Sequence, residues 1–343
     1  MTRYLGGLIT KDESLVIPAN NYENTAAPGV WTLEEAQMLA KQGLWPTAGN
    51  ALQRAIFAGG NYSNPIEYVD IGTLGNSVDF GDLSSTMHGG AGCASDTRGL
   101  IAGGLNITSN DLNNIDYITI ASTGNATDFG DLTQARWTLA SCSNSTRGLW
   151  AGGYYSNSTE VNIIDYVTIA STGNAQDFGD LTTVCRQNAG CASPTRGIFG
   201  GGDSNTGAED TISYVTIAST GNATDFGNLV AYKRDVAALS SSTRGVFAGG
   251  YNSDGYFNVM EYITIASTGN STDFGDLLDN YYRMAGTSSS TRGLFGGGIV
   301  SGVDKNVIQY ITIASTGNSQ DFGDLLDDRP YLAACSNVHG GIS

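Results

Sequence analysis

The chain has 343 residues and a formal net charge of −17 at pH 7, from 16 Lys and Arg against 33 Asp and Glu. This acidic balance argues against nucleic-acid binding, which needs a basic footprint, and it suits a soluble, self-repelling particle. No stretch approaches the roughly 18 apolar residues of a membrane helix, and residues 1–10 lack the apolar segment of a signal peptide. We therefore expect a soluble protein that is made in the cytoplasm and does not insert into membranes.

Residues 1–50 do not repeat and are predicted to form an N-terminal arm. A short helix is predicted from Thr32, which is spaced from Glu35 as in a capping box, to Gly43, a typical helix end. An arm of this size cannot build its own core, so we expect it to dock on the rest of the chain or on another protein. The apolar residues that we expect to make this attachment are Trp31, Leu33, Leu44 and Trp45.

From residue 51 onward one phrase recurs six times. It reads T-R-G-L-W-A-G-G at Thr146 to Gly153, and its first copy is the worn L-Q-R-A-I-F-A-G-G. The closing glycines lie 44 to 49 residues apart, at Gly60, Gly104, Gly153, Gly202, Gly250 and Gly298. A fixed period of this length is typical of solenoids, propellers and arrays.

Each unit is predicted to contain four strands. The phrase T-R-G opens the second strand, I-D-Y-V-T-I-A-S is the third, and D-F-G-D-L opens the fourth after an S-T-G-N turn. A segment such as Ala135 to Ser143 then gives the first strand of the next unit. Four strands in about 48 residues is the content of one propeller blade.

The two ends of the repeat region complete each other. The first unit begins at its second strand, and the segment Arg329 to Asn337 is a spare first strand at the C-terminus. Such closure would leave no open sheet edge between the first and last blades. We predict an all-β, six-bladed β-propeller over residues 51–343, closed by the C-terminal strand, with the short arm over residues 1–50.

The glycine pair, the downstream tyrosine and the period near 50 resemble kelch repeats over about 290 residues. The chain departs from that pattern where a Trp is expected, because the Phe of D-F-G-D stands there. Kelch-type propellers include a copper oxidase, but this sequence shows no equivalent set of copper ligands.

The repeated charges have a structural interpretation. D-F-G resembles the magnesium-binding signature of protein kinases, but it occurs six times without the other kinase motifs, and D-F-G-D lacks the dense oxygen ligands of a calcium loop. Because the repeated Arg and Asp should lie at the same end of a blade, we expect ion pairs between them. The expected pairs join Arg98, Arg147 and Arg196 with Asp128, Asp177 and Asp225. Whether this acidic face also binds cations stays open.

Nothing in the sequence specifies an enzyme, a cofactor or a metal centre. His88 and His339 are the two histidines, so a His-rich metal site is excluded. Cys93, Cys142, Cys191 and Cys335 occupy equivalent positions, where Leu239 and Thr287 also occur, which indicates a small packing site.

Sequence differences between the units collect in two connections. These are the segment after the glycine pair and the segment after D-F-G-D-L, and both should emerge on one face of the disc. Exposed aromatic residues are common contact residues, and loops under weak constraint also drift. The candidate recognition face includes Tyr154, Tyr155, Tyr251, Tyr256, Phe257, Tyr281 and Tyr282.

The segments Y-L-G-G-L-I-T, at Tyr4 to Thr10, and P-G-V-W-T-L-E-E-A-Q, from Pro28, resemble the N-terminal leader of structural proteins of marine tailed phages, notably cyanophages. The repeated Y-V-T-I-A-S-T-G-N-A-T-D-F-G-D-L is similar to repeats in such virion proteins. The resemblance implies a virion component, assembled in the host cytoplasm, whose arm binds other virion proteins of the tail or capsid.

The function that we expect is non-enzymatic. The favoured role is a tail fibre or similar appendage whose propeller contacts a host receptor or surface glycan. The alternatives are a capsid decoration protein and a free carbohydrate-binding propeller. The sequence leaves open whether the protein is a homo-oligomer.

Overall fold

The computed structural model describes residues 53–156 and 159–342. Within these ranges the chain forms six four-stranded antiparallel sheets, numbered here as blades 1 to 6, and contains no helix. The predicted six-bladed, all-β propeller is confirmed. The predicted arm, its helix and its attachment residues lie outside the described residues.

The strands of each blade are numbered 1 to 4 from the inside outward. First strands are Ala333–Ser336 in blade 1 and then Ala91–Ala94, Ala140–Ser143, Ala189–Ala192, Ala237–Ser240 and Ala285–Ser288. Second strands are Arg54–Ala58, Arg98–Ala102, Arg147–Ala151, Arg196–Gly200, Arg244–Ala248 and Arg292–Gly296. Third strands are Ser63–Asp70, Asn114–Thr119, Ile163–Thr168, Thr211–Thr216, Val259–Thr264 and Val307–Thr312. Fourth strands are Val78–Met87, Thr127–Asp131, Gln176–Asp180, Thr224–Asn228, Thr272–Asp276 and Gln320–Asp324.

Small hairpins extend four of the connections between the second and third strands. They pair Tyr154–Tyr155 with Thr159–Glu160, Asp203–Ser204 with Gly207–Ala208, Tyr251–Asn252 with Gly255–Tyr256, and Ile299–Val300 with Val303–Asp304. These hairpins and the connections from a fourth strand to the next first strand lie on one face of the disc, which we call the variable face. The opposite face, which carries the T-R-G and S-T-G-N turns, is the repeated face.

The C-terminal strand closes the ring. Ala333–Ser336 pairs with Arg54–Ala58 in antiparallel register, with Ala55 opposite Ser336. The Oδ1 atom of Asn337 accepts a hydrogen bond from the backbone N of Arg54 at 3.0 Å. In blade 3 the Oδ1 atom of Asn144 accepts from the N of Arg147 in the same way. Asn337 therefore completes a turn that is continuous chain in the other blades.

Apolar layers between neighbouring blades form the core. In one such layer Trp150, Phe129 and Ile169 are buried together. The buried Cys93 thiol lies where a side chain at Gly148 of the next blade would have to go. The inner-strand cysteines thus act as small apolar fillers, and burial raises the pKa of Cys191 and of Cys335 to about 12.

The repeated D-F-G-D and S-T-G-N segments join neighbouring blades. The backbone N of Gly173 donates to the Phe129 carbonyl at 2.8 Å, and the Asp131 N donates to Asn174 Oδ1 at 3.1 Å. Equivalent Asn contacts occur at all six junctions, with Oδ1 acceptors on Asn76, Asn125, Asn174, Asn222, Asn270 and Asn318. Repetition in the sequence is therefore explained by repeated docking between blades.

Candidate functional site

The repeated arginines do not form the ion pairs that the sequence predicts. Arg98 stacks its guanidinium 4.6 Å from the centre of the Tyr117 ring, and its Nη1 donates to the Ile169 carbonyl of the next blade at 2.9 Å. Arg147 and Arg196 make the same contacts, with Ile217 and Ile265 as acceptors. Their expected partners Asp128, Asp177 and Asp225 are exposed side chains. The prediction was wrong because strand alignment places a carbonyl and a tyrosine within reach of each arginine, rather than a carboxylate.

Buried ion pairs exist elsewhere in the described blades. Arg136 Nη1 lies 2.8 Å from Asp165 Oδ2, with both side chains fully buried. Lys233 pairs with Glu261 and Arg329 with Glu67 at the equivalent places. These three pairs occur in blades 3, 5 and 1, and burial lowers the pKa of Arg329 to about 10. They tie the connection before each first strand to the third strand of the same blade.

A closed ring of hydrogen bonds surrounds the axis on the variable face. The six ring residues come two positions before each first strand, and each has a left-handed backbone with φ between 52° and 72°. The backbone N of each donates to the carbonyl of the ring residue in the preceding blade, at 2.6 to 3.1 Å. In order the ring residues are Gly89, Thr138, Gln187, Asp235, Arg283 and Tyr331.

This ring surrounds a small cavity at the end of the axis on the variable face. We call this cavity, together with the side chains around it, the mouth. The cavity measures about 80 Å³ and is lined by Thr138, Gln187, Asn188, Asp235, Arg283 and Tyr331, among others. The ring residues share one backbone conformation but differ in type, so five different side chains and one glycine meet at one point. Across the mouth, Gln187 Nε2 lies 3.4 Å from the Tyr331 hydroxyl.

One half of the mouth is aromatic. His88 stacks on Tyr62 with ring centres 4.4 Å apart, and the tilted ring of Tyr331 lies 4.2 Å away on centre. Trp137 lies 6.0 Å from His88 and packs edge-on against Tyr154. Burial, reinforced by Arg283, lowers the pKa of His88 to about 4, so this imidazole is neutral near pH 7.

The other half of the mouth is ionic. Asp203 accepts from Arg186 Nη2 and Arg234 Nη1, both at 2.8 Å, and Asp235 accepts from Arg283 Nε at 2.9 Å. Burial raises the pKa of Asp235 to about 6 although Arg283 opposes that shift. Glu160 lies 3.4 Å from Arg186. The three arginines of this half therefore face three carboxylates, and each guanidinium is held by at least one of them.

Several buried polar atoms at the mouth have no hydrogen-bond partner. They are Asn188 Oδ1, Gln187 Oε1, Trp137 Nε1, His88 Nδ1 and Arg234 Nε. The Asn188 side chain is 8% exposed. A buried polar atom without a partner costs about 1–3 kcal/mol. The Asn188 Oδ1 atom lies beside Gly152, between blades 3 and 4.

The predicted recognition residues divide between surface and interior. Tyr155 and Tyr256 are 41% and 50% exposed, and Tyr154, Tyr251 and Phe257 are half-buried on the variable face. Tyr256 stacks on Tyr282 with ring centres 5.0 Å apart, which leaves Tyr282 only 7% exposed. Tyr281 is 4% exposed, and its position in blade 6 is equivalent to that of Arg136 in blade 3.

Tyr281 is therefore not available as a contact residue. In the other blades its position holds Met87, Arg136, Cys185, Lys233 and Arg329, all of which are buried. Tyr282 supports Tyr256 from beneath. Neighbouring tyrosines in the sequence look equally exposed, but only the structure shows that the turn before the first strand buries them.

The ring residues and His88 were not identified from the sequence. Their fixed position in the repeat could have revealed them. The ring residues lie two positions before each first strand and differ in every unit, and His88 lies three positions before one. The sequence interpretation grouped that whole connection as a variable loop. It could not assign a left-handed conformation to Thr138 or Tyr331, because such residues rarely adopt one.

The described ranges contain neither a cluster of metal-binding side chains nor a helix that could span a membrane. Among those residues no group of three or more His, Cys, Asp and Glu side chains could hold a metal ion. Over the same part of the chain, no helix is long and apolar enough to cross a membrane.

Fold and site define this protein as a six-bladed β-propeller with one aromatic and ionic mouth on its axis. No protein-family model matches the chain, and comparison with the curated proteins finds no relative.

Proposed function

We propose that this protein is a non-enzymatic virion component of a tailed phage, in which the propeller is displayed to contact the host. One observation carries the contact role. Residues that repeat six times are used in contacts between blades, whereas the side chains that differ most converge on a single mouth. A scaffold that holds five different side chains and one glycine in a single backbone ring suits selective recognition.

The arm supplies the second part of the proposal. Residues 1–50 would bind other virion proteins through Trp31, Leu33, Leu44 and Trp45, and residues 51–343 would face outward. This assignment rests on the resemblance of the leader segments to those of marine tailed phages. Among the roles left open by the sequence we favour a tail fibre or appendage, because the variable face offers a built site that a decoration protein does not need.

The non-enzymatic assignment is supported by the state of the potential nucleophiles and bases. Cys93, Cys142 and Cys191 are buried, and burial raises the pKa of each thiol, which keeps it protonated and unreactive. Both histidines have pKa values lowered to about 4 by burial. Neither histidine has the pKa near 7 that suits a general base at neutral pH.

Adsorption of phage particles to host cells tests the contact role. The test variant replaces Tyr256 and Asp235 on the variable face, and the matched control replaces exposed Asp128 and Asp177 on the repeated face. We expect particles with the first variant to assemble but adsorb poorly, and the control particles to adsorb normally. Normal adsorption by both would contradict host contact and favour a decoration role.

Incorporation tests the arm separately. A chain that lacks residues 1–50 should bind host cells when purified yet be missing from assembled particles. Its incorporation at the normal level would overturn the assignment of the arm.

A further inference from the structure

We infer that one half of the variable face binds a partner protein, through a surface of the partner that combines apolar side chains with lysine or arginine. This half runs around the disc from the linker before blade 5 to the linker before blade 1, where a linker is the connection from a fourth strand to the next first strand. It lies outside the mouth, and its chemistry does not depend on a virion role for the protein.

Exposed apolar side chains are concentrated on this half. Ten large apolar residues are exposed in the described ranges, and six of them lie here, each between 49% and 64% exposed. Linkers and the hairpins of blades 5 and 6 contribute them in turn, so they form one apolar arc. In order its members are Val230, Tyr232, Tyr256, Leu278, Val303 and Leu326. Single exposed apolar residues are normal, but a cluster rimmed by polar groups is typical of a protein interaction site.

Three members of the arc occupy one position of the repeat, directly after the buried Leu that follows each fourth strand. In blade 3 this position holds Thr133, whose N and Oγ1 both donate to the buried Asp165 carboxylate, at 3.1 and 2.6 Å. In blade 6 it holds Leu278, which donates its backbone N to Gln309 Oε1 at 3.0 Å. The hydroxyl comes from another place there, because Ser319 Oγ donates to the same Oε1 atom at 2.7 Å.

This exchange divides the disc into two halves. In blades 2 to 4 a hydroxyl at the linker accompanies an alanine before the fourth strand, and the pairs are Ser84 with Ala126, Thr133 with Ala175, and Thr182 with Ala223. In blades 5, 6 and 1 an aliphatic residue at the linker accompanies a serine, and the pairs are Val230 with Ser271, Leu278 with Ser319, and Leu326 with Ser77. Each of these serines donates to the third strand of its blade. The linker position is thereby released from its structural task, and all three blades use it for an exposed aliphatic side chain.

The charges around the arc indicate the chemistry of the partner. The four cations of its linkers, Lys233, Arg234, Arg283 and Arg329, are already paired with carboxylates. Four other carboxylates of the arc are exposed, whereas the linkers into blades 2, 3 and 4 contain no acidic residue. The exposed carboxylates are Asp254, Asp279, Asp327 and Asp328.

A basic and apolar surface complements this arc. Two other occupants are disfavoured by the same charges. A second copy of the chain would bring its own carboxylates and a net charge of −17. An anionic lipid surface would be repelled as well.

Titration of the full-length protein with three synthetic peptides tests the inference. Each peptide has about 18 residues, or about five helical turns, and the first places leucine on one side of the helix and lysine on the other. In the second, glutamate replaces lysine, and in the third, serine replaces leucine. By fluorescence anisotropy at physiological salt, we expect saturable binding of the leucine–lysine peptide with a dissociation constant on the order of 10 μM.

The other two peptides should bind at least about tenfold more weakly. The proposal is overturned if the leucine–lysine peptide shows no saturable binding, if the serine–lysine peptide binds equally well, or if the leucine–glutamate peptide binds more tightly.

Threonine variants locate the binding on the arc. The triple variant Val230→Thr, Leu278→Thr and Leu326→Thr copies the residue found at Thr133 and leaves the net charge unchanged. It should weaken binding of the leucine–lysine peptide about tenfold. The matched control replaces three exposed apolar residues outside the arc and should bind normally. It combines Leu74→Thr, Val78→Thr and Ile107→Thr.

Asparagine variants test the role of the carboxylates. Asp279→Asn with Asp327→Asn should weaken binding severalfold, whereas Asp128→Asn with Asp177→Asn makes the same change of charge on the repeated face and should have little effect. Thermal midpoints confirm that each variant is folded before affinities are compared. Equal losses in the two pairs would mean that the peptide responds to net charge, which contradicts binding at the arc.

Two further outcomes would assign the arc to another occupant and overturn the proposal. One is a dimer in sedimentation velocity that dissociates in the threonine triple variant, since the arc would then join two copies of this chain. The other is much tighter peptide binding by a chain that lacks residues 1–50, since the arm would then cover the arc. Peptide binding at the arc, in particles whose adsorption is unaffected by the triple variant, would leave this site standing and separate it from host contact.

Discussion

At the scale of single residues, arginine has three different roles in this protein. The T-R-G arginines stack on tyrosines and bond to carbonyls of the next blade. Arg136 and Arg329 are buried and neutralise carboxylates inside a blade. Arg186, Arg234 and Arg283 surround the mouth. Since Arg is planar and always charged, it serves each role, and only its position in the repeat distinguishes the uses.

Removing one partner of a buried pair should be far more damaging than replacing both. Asp165→Ser leaves the fully buried Arg136 without its carboxylate, and we expect a loss of about 3–5 kcal/mol in the free energy of unfolding. Blade 4 supplies a natural control, because Cys185 and Ser213 occupy the same two positions. The double variant Arg136→Cys with Asp165→Ser should recover most of that loss.

Urea unfolding at pH 7 measures both variants against the unchanged protein. If the double variant is as unstable as Asp165→Ser alone, the ion pair itself contributes the stability, and the penalty of an unpaired charge is not the cause.

Protonation of His339 should destabilise the closed end of the axis. In its neutral form Nε2 donates to the Ala94 carbonyl, and Nδ1 accepts from the Gly341 N at 3.1 Å. Burial lowers the pKa of His339 from 6.5 to about 4. As the pH falls, the unfolded chain therefore takes up the proton before the folded protein does. The contribution of neutral His339 to the free energy of unfolding is thus complete above pH 6.5 and is lost as the pH falls toward 4.

The variant His339→Gln isolates this effect. The stability difference between the unchanged protein and the variant should shrink by about 1–3 kcal/mol between pH 7 and pH 4.5. Asp235, whose raised pKa gives a pH dependence of the opposite sign, cancels because it is present in both proteins. A difference that is constant with pH would show that His339 is not held neutral by the fold.

At the scale of the strand and turn, the repeated phrases fix how one blade meets the next. The outer strand of each blade presents a glycine to the S-T-G-N turn of the following blade. A Cβ at Gly179 would lie 2.5 Å from the carbonyl oxygen of Gly221, whereas a Cβ at Gly173 would meet nothing within 4 Å. Both glycines have similar backbones, with φ of 144° and 153°.

Alanine variants of these two glycines distinguish backbone strain from a steric clash between blades. Gly173→Ala should cost only the backbone strain of a left-handed residue, about 1–3 kcal/mol. Gly179→Ala carries the same strain and also pushes two blades apart, so we expect a further loss of at least about 1 kcal/mol. Thermal unfolding compares the two variants directly. Equal losses would mean that the blades shift without cost and that the close approach is not required.

The sequence predicts the elements better than it predicts the site. The period, the glycine pairs and the β-branched runs determine four strands per unit because each is a local signal repeated six times. The charge partners were mispredicted because strand order places Arg98 beside Tyr117 and a neighbouring carbonyl, a relation between blades that no single unit contains. The ring of Gly89 to Tyr331 was missed for the same reason, since each of its hydrogen bonds connects residues of different blades, at least 48 apart in the sequence.

At the scale of the whole molecule, the axis has two different ends. On the variable face the backbone ring supports a mouth with unsatisfied polar atoms. On the repeated face His339 and the residues around it close the passage, with Gly340 N donating to the Ser240 carbonyl at 3.1 Å. The asymmetry follows from closure: the strand that completes blade 1 ends on the repeated face, and the chain that follows it enters the axis there.

Closure of the ring by the C-terminal strand can be tested by moving that strand. A permuted chain would place residues 329–337 first, join them through Ser-Thr to Arg54, and end at Asp328. The joint copies Asn144-Ser145-Thr146-Arg147 of blade 3, where the same Asn-to-Arg backbone contact is made. We expect this chain to fold with a cooperative thermal transition and far-ultraviolet circular dichroism like those of residues 54–337, which also lack His339.

The matched control is the chain 54–328, which has no inner strand for blade 1. Without Ala333–Ser336 the second strand Arg54–Ala58 has an unpaired edge on the axis, and the two neighbouring inner strands lose their contact with it. We expect this control to lose cooperative unfolding or to aggregate. If it instead unfolds as sharply as the permuted chain, then five inner strands suffice to close the ring. The pairing of the chain ends would then be a consequence of the fold and not a condition for it.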